Sequence, residues 1–117
     1  MGKRLQVALQ EDILPLPFVG DVRGRGLFQA VEFVADKYLK TEFLAAEQFS
    51  KMVLRAAFDE GLYLHGYGSP SGPHNVQNVL IAPRFNITEE EVDLIVERLR
   101  SAILFAGQQL SAAMATP

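Results

Sequence analysis

Two glycines stand one residue apart in Asp21-Val22-Arg23-Gly24-Arg25-Gly26-Leu27, with an extended stretch on either side. Glycine lets the backbone bend where a side chain would clash, so this segment must reverse or kink the chain. Before the bend, Val19 to Arg23 reads as a short extended piece. After it, Leu27 to Val34 alternates two sets, Leu27/Gln29/Val31/Phe33 and Phe28/Ala30/Glu32/Val34. Both sets are mainly apolar, which predicts a strand covered on both faces. Taken alone, that is a turn and a strand.

The remaining elements follow from periodicity. Residues 3–12 carry Leu5, Ala8 and Leu9 at helical spacing, the tail of a helix. Pro15 and Pro17 then forbid a regular helix and force an extended connector. Residues 45–60 predict a second helix, with Phe49, Met52, Val53, Ala56 and Ala57 on its buried side. Glu47–Lys51 and Arg55–Asp59 are spaced as i,i+4 ion pairs on its outer face. Gly61 follows directly, suited to a left-handed C-cap. Leu62 to His65 and Val79 to Ala82 read as short strands. Residues 66–78 between them hold so much glycine and proline that a loop without regular structure is predicted. Thr88 and Glu91 form a capping box for the last helix, whose stripe is Val92, Ile95, Val96, Leu99, Ala102, Ile103 and Ala106. The order of elements predicts an α+β fold: a three- to four-stranded, mainly antiparallel sheet with the helices packed on one face. The chain divides into a helix tail and proline-rich connector (1–18), one domain (19–110) and a flexible tail (111–117).

Composition narrows the function. At 117 residues, 49% hydrophobic and 21% charged, the chain is one ordinary globular domain. Its net charge of -3, with scattered basic residues, argues against nucleic acid as a partner. It has no cysteine, which excludes disulfides, thiol nucleophiles and thiolate metal sites. No apolar run reaches the ~20 residues of a membrane span. Gln6 stands where a myristoylation signal needs Ser or Thr. A cytoplasmic protein without a membrane partner is the expectation.

Motifs for independent chemistry are weak. Arg23-Gly24-Arg25-Gly26 has the composition of an anion cradle, but a dinucleotide fingerprint needs glycine at position 29 and a helix after it. Gln29 and a strand stand there, so the glycines are assigned to the turn and Arg23 to a local carboxylate or carbonyl. His65 and His74, the only histidines, lack metal-ligand spacing. Ser69 and Ser71 lack a nucleophile elbow. No catalytic, cofactor-binding or metal-binding residue is assigned from motifs.

Four landmarks taken together resemble one family. They are Val19-Gly20-Asp21-Val22-Arg23-Gly24-Arg25-Gly26-Leu27 with Val31-Glu32-Phe33-Val34; Asp36-Lys37 and the helix ending Ala56-Ala57-Phe58-Asp59-Glu60-Gly61-Leu62; Val79-Leu80-Ile81-Ala82-Pro83; and Thr88-Glu89-Glu90-Glu91-Val92-Asp93. In this order they resemble the C-terminal small domain of class III (ω-type) aminotransferases, pyridoxal-phosphate enzymes of fold type I. The resemblance runs from about Met1 to Leu110.

What the resemblance implies is an amino transfer, in the parent enzyme, between an amine or amino acid and a keto acid. The Schiff-base lysine, the acidic partner of the pyridine nitrogen, the stacking aromatic and the phosphate loop belong to the family's larger domain. All lie before the stretch seen here, and none of Lys3, Lys37, Lys40 and Lys51 matches the catalytic position. The chain is therefore expected to be a fragment that is inactive alone and binds no cofactor. Its expected partner is the missing large domain, or the second subunit of an aminotransferase homodimer. Arg84 is the one candidate substrate-binding residue. Family members often grip a substrate carboxylate with a small-domain arginine, some of them at the position of Leu80. That position is apolar here, and Arg84 stands where the family usually has a second proline. The rival reading is a stand-alone binding or regulatory module that docks on a full-length relative. A severed domain is further expected to expose apolar surface at Leu14, Leu16, Phe18 and Phe28.

Overall fold

The computed structural model describes residues 2–35, 49–62, 64–67, 70–71, 74–75, 77–83 and 86–115. In chain order the elements are α1 (Gly2–Asp12), β1 (Val19–Arg25), β2 (Phe28–Phe33), α2 (Phe49–Asp59), β3 (His65–Tyr67), β4 (Pro70–Ser71), β5 (His74–Asn75), β6 (Gln77–Ile81) and α3 (Glu89–Ala115). Four strands form one antiparallel sheet in the order β1-β2-β6-β3. The α+β fold expected from the order of elements is the fold observed.

Glycine chemistry builds the first hairpin. Arg25 pairs with Phe28, leaving Gly26 and Leu27 as a two-residue loop. Gly26 has φ +55 at the first loop position, where a II′ turn takes glycine. Gly24 is required for space. A Cβ there would lie 2.1 Å from the Phe28 carbonyl oxygen and 2.7 Å from the Gln29 Cα.

The register sorts the sheet into two unlike faces. Val22, Val31 and Val79 lie in one cross-strand row, with Phe33 and Ile81 on the same face, and all five are buried. The opposite face carries the rows Asp21–Glu32–Asn78 and Arg23–Ala30–Leu80, with Phe28 beyond them. There Asp21 and Arg23 are exposed, Ala30, Glu32, Asn78 and Leu80 are partly buried, and Phe28 is 57% exposed. This corrects the expectation of a strand covered on both faces. All three helices contribute to a single core cluster with the first face, so among the described residues only that face is fully closed.

Each helix reaches the core through one stripe. Leu5, Leu9 and Ile13, four residues apart, are wholly buried. Phe49, Val53, Ala56 and Ala57 do the same for α2. Val92, Val96, Leu99, Ala102, Ile103, Ala106 and Leu110 do it for α3. Full burial of each large aliphatic side chain contributes roughly 1.5–3 kcal/mol. Phe49 is the aromatic hub. Its ring meets Phe33 edge-on at 5.0 Å and Phe18 at 5.2 Å.

The capping box on α3 is present. The Glu91 amide donates to Thr88 Oγ1 at 3.2 Å, and the Thr88 amide donates to Glu91 Oε1 at 3.1 Å. Helical backbone continues to Ala115, through residues that the sequence reading sets apart as a tail. The expected Arg55–Asp59 pair is not among the ion pairs of the described residues, and Glu47 lies outside them. In the glycine- and proline-rich stretch, β4 and β5 form a small antiparallel ribbon where no regular structure was predicted. Such a ribbon needs only two facing residue pairs, a demand that composition cannot forbid.

The connector also differs from expectation. Leu16 is 7% exposed and belongs to the core, not to an open patch. Its amide donates to the Ile13 carbonyl at 3.0 Å, which curls the chain inward directly after α1. Leu14 and Phe18 are partly buried against the same cluster.

Candidate functional site

The open face of the β1–β2 hairpin holds the charged groups that the sequence singles out. Pairing places Asp21 opposite Glu32, two like charges that would repel across the strands. Arg23 reconciles them: its Nη1 donates to Glu32 Oε2 at 2.7 Å and to Asp21 Oδ2 at 3.2 Å. These contacts, the Glu32 hydrogen bond first, raise the Arg23 pKa, with partial burial acting against them. Asp21 also accepts a hydrogen bond from the Val22 amide at 2.9 Å. The charge of Arg23 is thus spent on its own hairpin, as the turn reading of this motif expects.

Gln29, which breaks the dinucleotide pattern, turns out to be a structural residue. It is wholly buried on the helix-covered face. Its Nε2 donates to the Gly26 carbonyl at 2.9 Å, tying the hairpin loop to the core. Its Oε1 is buried and has no partner among the described residues. Sequence reasoning missed this latch. The one signal was a polar residue in the set Leu27/Gln29/Val31/Phe33.

A second polar cluster was also illegible in sequence. Arg4 of α1 forks onto Asp93 of α3, with Nε to Oδ1 at 3.2 Å and Nη2 to Oδ2 at 2.8 Å, and reaches Glu89 at 3.7 Å. The Arg4 hydrogen bond holds the Asp93 carboxyl below its ordinary pKa. The partners are 89 residues apart, so no spacing rule could pair them.

The other candidates do not converge. His65 is exposed on β3, opposite Leu80, and His74 lies in β5, opposite Ser71. Among the described residues no group of three or more His, Asp or Glu side chains could hold a metal ion. Lys3 and Lys51 are exposed on α1 and α2, while Lys37 and Lys40 lie outside the described residues. Arg84, the candidate substrate-binding residue, also lies outside them, directly after Pro83. Among the described residues no helix is long and apolar enough to cross a membrane.

Comparison with known proteins supplies what the site chemistry does not. No family model matches the chain. An aminotransferase of Gibberella zeae is 35% identical over 107 residues, which cover 90% of this chain and 21% of that protein. The crystal structure of a transaminase from the marine bacterium Virgibacillus superposes with a TM-score of 0.84 at 30% identity, covering 93% of this chain and 24% of that one. The PMP-bound form of the Vibrio fluvialis aminotransferase superposes with a TM-score of 0.78 at 28% identity, covering 92% and 22%. The chain spans about a fifth of the length of the curated relatives it matches. In sequence and in fold the chain matches one part of the aminotransferases, about a fifth of their length.

Proposed function

We propose that this domain serves a class III, pyridoxal-phosphate-dependent aminotransferase, which moves an amino group between an amine or amino acid and a keto acid. The observation that carries the reading is the match over nine-tenths of the chain, in sequence and fold, to transaminases about four times as long. In that setting the domain closes over the active site and shapes the substrate pocket. The large domain of the same subunit, or a second subunit of a homodimer, is its partner, and the assembly works in the cytoplasm.

In this reading the cofactor is held outside this span. When bound, pyridoxal phosphate supplies the electron sink for amino transfer, and a positioned, deprotonatable lysine must hold it. Neither Lys3 nor Lys51 fits, since both are exposed on helix surfaces. Nor does the hairpin fit its phosphate. The space beside Gly24 is filled by the Phe28 carbonyl and Gln29, and Arg23 is bound by two carboxylates. In this reading the chain alone is catalytically silent.

Its own contribution is substrate recognition. Arg84 follows the strand that ends at the buried Ile81. In this reading Arg84 meets the substrate carboxylate, because a guanidinium fork matches a carboxylate with two parallel hydrogen bonds. The test is a chimera in which residues 1–110 replace the matching fifth of the Gibberella zeae aminotransferase, assayed for amino transfer to a keto acid. Amino transfer is expected. A folded, cofactor-loaded chimera without any transfer overturns the reading. In an active chimera, Arg84→Gln is expected to raise KM for a carboxylate substrate roughly 10–100-fold, the loss of a charge-assisted contact of about 1.5–3 kcal/mol. An unchanged KM removes Arg84 from the site.

A further inference from the structure

We draw no further inference here: the strongest candidate, the outer surface of α2 and α3 where Phe58 (65% exposed) and Phe105 (53% exposed) stand on either side of Arg55, is an apolar face for which nothing among the described residues shows what covers it.

Discussion

Helix α2 is capped by Gly61, and the connector after α1 turns on Phe18; both residues have positive φ, +84 and +69. They reach the same left-handed region for opposite reasons. At Gly61 the cause is local. The Leu62 amide donates to the Ala57 carbonyl at 2.8 Å and the Gly61 amide to the Phe58 carbonyl at 2.9 Å, the paired bonds of a Schellman cap. Glycine carries no Cβ, so the cap forms without strain. At Phe18 the local code argues against the conformation, which costs an L-residue roughly 1–2 kcal/mol.

Three contacts hold Phe18 there. Pro17 presets the turn that the Val19 amide closes onto the Leu16 carbonyl at 3.3 Å. The Phe18 carbonyl accepts from the Val34 amide at 2.8 Å, which fixes the connector to the end of β2. Its ring packs on Phe49 and lies against Gly107 of α3, 3.4 Å from where a Cβ would stand. The lesson is that a glycine turn can be read from a few residues, whereas a strained aromatic turn exists only because distant elements make it pay.

The comparison breaks most readily at its hub. Phe49→Ala removes the ring that Phe18 and Phe33 both meet and is expected to cost ~3–5 kcal/mol in a denaturant titration. A loss below ~1 kcal/mol would mean that the Phe18 turn stands without α2.

Substitution of Phe18 itself separates strain from packing. Phe18→Ala loses the ring and keeps the unfavourable φ, with an expected loss of ~2–4 kcal/mol. Phe18→Gly loses the same ring but relieves the strain. It should therefore be the milder change by ~1 kcal/mol. Chemical denaturation of both variants decides this, and a glycine variant less stable than the alanine variant contradicts a strained turn.

Gly61→Ala tests the other side. Its space is open enough for a methyl, with only the Arg98 guanidinium at 3.5 Å, so the expected loss of ~1–2 kcal/mol comes from φ alone. An unchanged denaturation midpoint would show that the cap tolerates a Cβ.

The smallest effect belongs to the Arg4–Asp93 fork, which lies on the surface. The folded Asp93 pKa is depressed, so its contribution to stability is present above the unfolded carboxylate value. It is lost as pH falls through the lower, folded value. Arg4→Met should flatten this acid-side slope and leave neutral stability nearly unchanged, because exposed ion pairs contribute little. Thermal melts between pH 2 and 7, the interval that spans an ordinary aspartate value of ~3.9, provide the reading. Identical slopes for the two proteins would show that the fork has no thermodynamic weight.

The sequence by itself determined the elements whose signals act over a few residues. The Gly24–Gly26 bend, the Thr88–Glu91 box, the Gly61 cap and the stripes of the helices all work through nearby backbone groups or a fixed period. The resemblance to aminotransferases was legible for the same reason, since ordered local landmarks carry it. Tertiary structure alone decided which face of the second strand and which connector residues became interior. The two apolar sets of the second strand look alike in sequence, yet Val31 and Phe33 are buried while Phe28 stands 57% exposed. Leu16 entered the core, Gln29 folded back onto the Gly26 carbonyl, and Arg4 found Asp93. Burial and long-range pairing depend on partners tens of residues away, and no local period records them.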